Sequence, residues 1–134
     1  MADENKFTLR IITPDRVFYE DTEVNMVEFN TTEGEIGVYK RHIPTTVIIK
    51  PGLLIIHKDE EEKIAALHAG FVEILQDKVT ILAEIIEWPE EIDFERAQSS
   101  ADRAKERISG GGEIDVARAE ASLARALTRL SAKQ

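Results

Sequence analysis

An internal repeat in the last third of the chain restricts the possible folds more than any other sequence feature. An offset of 22 positions aligns residues 90–108 with residues 112–130. The aligned pairs are Ile92 with Ile114, Asp93 with Asp115, Arg96 with Arg118, Ala97 with Ala119, Arg103 with Arg125 and Arg107 with Arg129. The run Gly110–Gly112 separates the two copies, and such a run favours a turn. The repeat therefore predicts two similar elements joined by a glycine turn.

Each copy has the periodicity of an α-helix. Small and apolar residues recur at i, i+4, i+7 and i+11, which places them on one helix face. These residues are Ala97, Ala101, Ala104 and Ile108 in the first copy and Ala119, Leu123, Ala126 and Leu130 in the second. Asp93 and Asp115 precede the two stripes and are favourable N-cap residues. We predict a hairpin of two short helices, with small residues that let the helix axes approach closely.

The first 88 residues predict β-structure. The segments KFTLRIIT, EVNMVEFNT and TTVIIKPGLLIIH alternate or are rich in β-branched and aromatic residues. Turns are predicted at residues 58–63 (KDEEEK), at Ala69-Gly70 and at Gln76-Asp77. Many short strands separated by turns favour a β-sandwich or barrel, here a sandwich of about ten strands. Pro89 marks the boundary, which gives a sandwich domain (1–88) followed by a helical hairpin domain (89–134).

The charge is unevenly distributed along the chain. The net charge is −9, and residues 1–91 contain 19 acidic against 9 basic residues, whereas six of the nine arginines follow Glu91. An acidic body argues against general nucleic-acid binding, although a hairpin that binds nucleic acid through its arginines is one alternative. Residues 1–10 lack the pattern of a signal peptide, and no apolar run approaches the ~18 residues of a membrane span.

Local motifs give little indication of an enzyme. The chain has no cysteine, which excludes disulfides and cysteine metal sites, and no redox cofactor is expected. The three histidines lack the spacing of a metal site, and the chain contains neither a Walker A sequence nor a Gly-x-Ser-x-Gly elbow.

The arginines of the two helices carry the main functional signal. At 100° per residue, Arg96, Arg103 and Arg107 share a face beside the alanine stripe, and the aligned arginines of the second helix do the same. Such rows are often solvated surfaces held by intrahelical ion pairs. Here Arg107, Arg125 and Arg129 have no acidic residue three or four positions away, and like-charged i, i+4 pairs are unfavourable. The rows therefore predict binding of an external anion, either a phosphate group or an acidic protein surface.

Several stretches of the chain resemble the ε subunits of bacterial F-type ATP synthases. They are IITPDRVFYEDTEVNMVEFNTTEGEIGVYKRHIP, KPGLLII, AGFVEILQDKVTILAE and IDFERA, in the order expected for the family. The resemblance covers essentially the whole chain. It implies a ten-stranded sandwich with a two-helix hairpin and a non-catalytic role in the central stalk. It also implies a peripheral position on the cytoplasmic face of the bacterial membrane, with membrane contact only through the complex.

The resemblance also implies partners and a ligand. The sandwich would contact the γ subunit and the c ring, and extended helices would reach the catalytic α/β subunits and inhibit hydrolysis. The family sequence I/L-D-x-x-R-A implies ATP as a regulatory ligand, with or without Mg²⁺. The implied ATP-binding residues are Glu87, Ile92, Asp93, Arg96, Ala97, Arg103, Arg125 and Arg129. Arginines would hold the phosphates, and Glu87 and Asp93 the purine side.

Two further positions are implied to contact partners. Glu35 matches the position that meets the c ring, and His42 the position that meets γ. Lys40-Arg41 stands where many relatives have Pro-Gly, which makes this loop more basic. A free-standing ATP-sensing protein outside the synthase remains the principal alternative at this stage.

Overall fold

The computed structural model describes residues 5–111 and 115–133, which form a β-sandwich followed by two helices. The strands are β1 (Phe7–Ile12), β2 (Val17–Val24), β3 (Met26–Thr31), β4 (Gly34–Tyr39), β5 (Thr45–Ile48), β6 (Gly52–Lys58), β7 (Glu61–Ile74) and β8 (Lys78–Glu87). A 3₁₀ turn (Pro89–Glu91) leads into helices α1 (Phe94–Gly110) and α2 (Val116–Ser131). The predicted fold class is confirmed.

The strands form a twisted sheet that folds over a single core. Their order is β2-β1-β8-β7-β6-β3-β4, and β5 pairs with the second half of β7. The β1–β8 pair is parallel, and the other pairs are antiparallel. Alternate residues of β1 point inward because side chains alternate along a strand. The core includes Phe7, Leu9, Ile11, Phe29, Leu54, Ile56, Leu67, Ile74 and Ile81.

The turn predicted at Ala69-Gly70 is wrong, because β7 runs through these residues as one long strand. The ladder to β8 shifts register here, with Leu67 opposite Ile86 and Ala69 opposite Ile85. His68 is thus the extra residue of a β-bulge, and Gly70 follows with φ of +135°. Gly70 supplies a conformation that other residues seldom adopt. The long strand partly explains why eight strands are present among the described residues, where about ten were expected.

Other predicted turns are confirmed. Residues 59 and 60 connect β6 to β7, and residues 75–77 connect β7 to β8. In the loop that contains Lys40-Arg41, Arg41 adopts φ of 68°, a left-handed conformation that favours glycine. The basic loop thus has a backbone conformation that is typical of glycine at Arg41.

Both helices begin where the capping signals predict, and the first ends at the predicted glycine turn. Asp93 and Asp115 accept hydrogen bonds from the backbone N–H groups of Arg96 and Arg118, at 3.0 and 3.1 Å. The first helix ends at Gly110, and Gly111 has positive φ. Gly112, the third glycine of the predicted turn, lies outside the described residues.

The helices pack against each other through their small residues. Ala97, Ala101 and Ala104 of α1 and Ala119 and Ala126 of α2 are buried. A buried methyl-sized group stabilises a contact by roughly 0.8 kcal/mol. This seam is therefore weakly held in comparison with the core of the sandwich.

The hairpin is docked on the sandwich by a small contact at its base. Ala132, just after α2, packs with Ala66 of β7 and Ile92, and Leu53 and Phe94 lie against this cluster. The contact brings the end of α2 beside the end of β8. It therefore positions side chains from both parts of the molecule around one surface.

Candidate functional site

The two arginine rows line one groove between the helices, which we call the arginine groove. It has a volume of about 700 Å³. Its lining residues are Ser100, Arg103, Ala104, Arg107, Asp115, Arg118, Ala119, Ser122 and Arg125. The alanines form its floor because they belong to the helix–helix seam. The serines are small and leave space above this floor for a ligand.

The guanidinium groups of the arginine groove lack protein counter-ions within the described part of the chain. No carboxylate in residues 5–111 or 115–133 lies within ion-pair distance of Arg103, Arg107, Arg118 or Arg125. Within the described residues, the side chain of Arg103 donates only to the hydroxyl of Ser100, at 3.3 Å. Four guanidinium groups around one concave surface create a strong positive potential. The geometry suits a polyanion because guanidinium forks match phosphate and carboxylate oxygens.

A second depression, the hinge cleft, lies where the hairpin meets the sandwich. Its volume is about 350 Å³. Its lining residues are Glu87, Glu91, Asp93, Arg96, Ala97, Ser100 and Arg129. Ser100 lines both depressions, so that the hinge cleft and the arginine groove adjoin. The hinge cleft carries acids as well as arginines, whereas the arginine groove is dominated by cations.

A chain of polar contacts joins the sandwich to α2 beside the hinge cleft. Glu87 Oε1 accepts from Arg129 Nε at 2.7 Å and from His68 Nε2 at 3.0 Å. His68 is 2% exposed, and its Nδ1 has no hydrogen-bond partner among the described residues. Burial lowers the pKa of His68, the Glu87 carboxylate opposes this shift, and the cations Arg129 and Arg125 add to it. Arg129 is therefore engaged by the protein, unlike the arginines of the groove.

The predicted ligand-binding residues occupy three different settings. Arg103 and Arg125 line the arginine groove, and Glu87, Asp93, Arg96, Ala97 and Arg129 line the hinge cleft. Ile92 lines neither depression and is buried against Ala66 and Ala132. Asp93 also serves as the N-cap of α1, so one of its oxygens already accepts a backbone hydrogen bond.

The two predicted partner contacts lie on the sandwich. Glu35 is exposed on β4, which ends the strand order of the sheet. His42 lies in the loop between β4 and β5, where its Nδ1 is 2.7 Å from the carbonyl oxygen of Ile43. Neither residue lines the arginine groove or the hinge cleft.

Two residues of the arginine groove, Arg107 and Arg118, belong to the predicted anion-binding rows but were not among the implied ATP-binding residues. The repeat contained the signal for both. Residues 114–119 read I-D-V-A-R-A, a second copy of the pattern at residues 92–97. This copy makes Arg118 the counterpart of Arg96. Because the helices run in opposite directions, however, Arg118 lies beside Arg107 in the groove rather than in the hinge cleft.

Comparison with known families identifies both parts of the chain. The sequence model for the β-sandwich domain of the ATP synthase delta/epsilon chain matches residues 6–89. The model for the long α-helix domain of the same chain matches residues 90–134. The chain belongs to the ATP synthase delta/epsilon chain family. It is therefore a non-catalytic subunit of ATP synthase, as predicted.

Curated relatives support this membership at the sequence level. The ATP synthase epsilon chain of Caldanaerobacter subterraneus subsp. tengcongensis is 46% identical over 106 residues, which cover 78% of this chain and 76% of the relative. That of Bacillus subtilis is 42% identical over 101 residues, with coverage of 75% and 76%. The identities confirm the resemblance noted from the sequence.

Solved structures share the fold at much lower identity. A chain of the Euglena gracilis mitochondrial ATP synthase superposes with a TM-score of 0.84 at 22% identity, over 95% of this chain and 81% of that one. A chain from the central stalk and c-ring of the Tetrahymena thermophila enzyme gives 0.66 at 12% identity, over 99% and 100%.

No helix in the described residues is both long and apolar enough to cross a membrane. Likewise, the described His, Asp and Glu side chains form no group that could hold a metal ion.

Proposed function

We propose that the chain is a regulatory central-stalk subunit of a bacterial F-type, proton-translocating ATP synthase. In this proposal residues 1–88 join the γ subunit to the c ring, and residues 89–134 form the regulatory unit. The subunit lies on the cytoplasmic face of the cell membrane and touches the membrane only through the complex. Family membership carries this proposal, and it argues against a free-standing ATP sensor and against a nucleic-acid-binding hairpin.

A row of apolar side chains on the sandwich, exposed at Ile48 and Phe71 and half-buried at Leu82 and Ile12, supports a role in assembly. Ile48, Phe71, Leu82 and Ile12 are paired side by side across four adjacent strands, so they share one face of the sheet. Ile48 is 61% exposed and Phe71 44% exposed. Contiguous exposed apolar residues mark protein interaction surfaces. We assign this row to the contact with γ.

The first test of the assembly role is binding to the γ subunit of the same synthase. We expect Phe71→Asp to weaken binding at least tenfold, because burial of a Phe side chain contributes about 1.5–3 kcal/mol. Leu127→Asp is the matched control, since Leu127 is equally exposed but lies on α2. Both variants are titrated at saturating ATP, so that α2 stays docked on the sandwich and away from γ. Affinity is measured by surface-immobilised titration of each variant against γ. Wild-type affinity for Phe71→Asp would overturn the assignment of this row, and absence of binding by the unmodified chain would overturn the stalk role.

For the hairpin, we propose that ATP binds to the docked conformation. The phosphates lie in the arginine groove and the purine side lies in the hinge cleft near Glu87 and Asp93. Ser100 lines both depressions, which supports one elongated ligand across them. The balance of charge supports this orientation because carboxylates repel phosphate. The arginine groove has four arginines and one carboxylate, Asp115, whereas the hinge cleft has three carboxylates and two arginines.

Ligand binding of this kind is sufficient to control a weakly held hairpin. A ligand at about ten times its Kd stabilises the state that it binds by roughly 1.4 kcal/mol. The docking contact is a small cluster around Ala66 and Ala132, so a bias of this size shifts the population. When ATP dissociates, the released helices extend along γ and present their arginines to an acidic surface of the catalytic subunits. The extended form inhibits ATP hydrolysis.

A further inference from the structure

A polar contact between His68, Glu87 and Arg129 joins the sandwich to the hairpin. The proposed ATP mechanism does not use this contact to control docking. His68 belongs to β7, Glu87 to the end of β8 and Arg129 to the last turn of α2. One carboxylate oxygen of Glu87 accepts both hydrogen bonds. A change at His68 therefore acts on the group that holds Arg129.

The hydrogen bonds determine the protonation state of His68 in the docked hairpin. Glu87 Oε1 can only accept, so Nε2 of His68 carries a proton and donates to it. The other nitrogen, Nδ1, is buried and has no hydrogen-bond partner in residues 5–111 and 115–133. In the neutral ring Nδ1 is a lone-pair acceptor, whereas protonation would create a buried N–H donor without an acceptor. A buried donor without a partner is unfavourable because it has lost its hydrogen bonds to water.

The surrounding charges also oppose a second proton on this ring. The charged groups that face His68 are Glu87 on β8 and Arg125 and Arg129 on α2. A protonated His68 would be a third cation, with Arg125 and Arg129, around the single carboxylate of Glu87. Two of these cations belong to α2 and move away when the hairpin is released, whereas Glu87 belongs to the sandwich and stays.

We propose that His68 is a proton-sensitive element of the docking contact, and that protonation of its imidazole favours release of the hairpin. The bulge in β7 aims this side chain at Glu87, as β-bulges commonly re-aim a side chain. The inference rests on the proposed ability of the hairpin to leave the sandwich, but it does not require ATP. It adds pH as a second input to the regulatory unit.

The direction of the effect follows from linkage. The pKa of His68 is lowered by burial and by the two arginines in the docked state. On release it returns towards the ordinary value of about 6.5. The docked state binds fewer protons, so it is favoured above pH ~6.5 and loses stability as the pH falls from there through the lowered pKa. Acidification therefore releases the hairpin.

The test measures docking directly in the full chain. The chain has no cysteine, so Glu60→Cys and Glu120→Cys place one spin label on the sandwich and one on α2, both at exposed positions. Without nucleotide, we expect the ratio of released to docked hairpin to rise severalfold between pH 7.5 and pH 5.5. In His68→Gln the amide N–H replaces the Nε2 donor and cannot titrate, so the ratio should stay constant. An equal pH response in both proteins, or none in either, overturns the proposal.

A second measurement covers the case in which His68→Gln does not dock at pH 7.5. The imidazole signals of His68 are then titrated by NMR in the unsubstituted chain and in Arg125→Gln/Arg129→Gln. A titration midpoint that rises in the double variant supports the proposal, and an unchanged midpoint overturns it. ATP binding measured at pH 8, where His68 is neutral in either state, tests the proposed function separately.

Discussion

Replacement of Arg103 or Arg125 by alanine is expected to weaken ATP binding by about 10- to 100-fold, because a hydrogen bond to a charged group contributes about 1.5–3 kcal/mol. These residues lie on opposite walls of the arginine groove, one on each helix. Neither has a protein counter-ion among the described residues, so neither leaves a buried charge unpaired when removed. The stability of the sandwich should be unchanged. Equilibrium dialysis with labelled ATP measures the affinity, and thermal unfolding measures the stability.

The matched control for these variants is Lys105→Ala. Lys105 is an exposed cation on α1 that does not line the groove. Its loss changes the net charge of the helix by the same amount, so it should leave ATP affinity within about twofold, as expected for a surface charge. If all three variants bind ATP equally well, the arginine groove does not hold the phosphates.

The largest effect on stability is expected for Gly70→Ala. A Cβ atom built at Gly70 lies 2.0 Å from the carbonyl oxygen of Leu82, and φ there is +135°. Strained backbone alone costs about 1–3 kcal/mol, and the collision with the main chain of β8 adds to it. We expect the free energy of unfolding to fall by about 3 kcal/mol or more, as measured by urea denaturation.

Gly34→Ala separates strain from collision, because Gly34 has φ of +120° but a Cβ there meets no atom within 4 Å. This variant should lower the free energy of unfolding only by the cost of the strained backbone, about 1–3 kcal/mol. Equal losses in the two variants would mean that the close approach of β7 and β8 at the bulge is unimportant. Because the bulge places His68 beside Glu87, Gly70→Ala should also weaken docking of the hairpin.

The helical hairpin could be predicted from the sequence almost residue by residue. Its signals are local: aspartate N-caps, an alanine stripe and a glycine stop act within one or two turns of the chain. Sequence reasoning was less successful for β7, where glycine indicated a turn and the structure has a bulge. Glycine suits both a turn and a bulge, and only the pairing of β7 with β8 decides between them.

The sequence indicated which side chains could form the candidate site, but not how they are divided between the arginine groove and the hinge cleft. The spacing of the arginines places each row on one helix face, yet the opposite direction of the two helices determines which arginines meet. Arg129 has no acidic neighbour in its own helix, and its partner Glu87 lies 42 residues away. Nothing local in the sequence indicates such a contact. The burial of His68 likewise depends on how β7, β8 and α2 pack together, so the sequence alone does not indicate it.

Calorimetric titration of ATP into the isolated chain at pH 8, with and without Mg²⁺, is the direct test of whether ATP binds to the hairpin. The comparison protein is Asp93→Asn/Arg96→Ala, because asparagine preserves the N-cap of α1 while the charge is lost. We expect saturable binding of one ATP per chain, weakened on the order of 100-fold in the double variant, because two interactions of about 1.5 kcal/mol each are lost. Absence of saturable binding, or equal affinity in the two proteins, would contradict it.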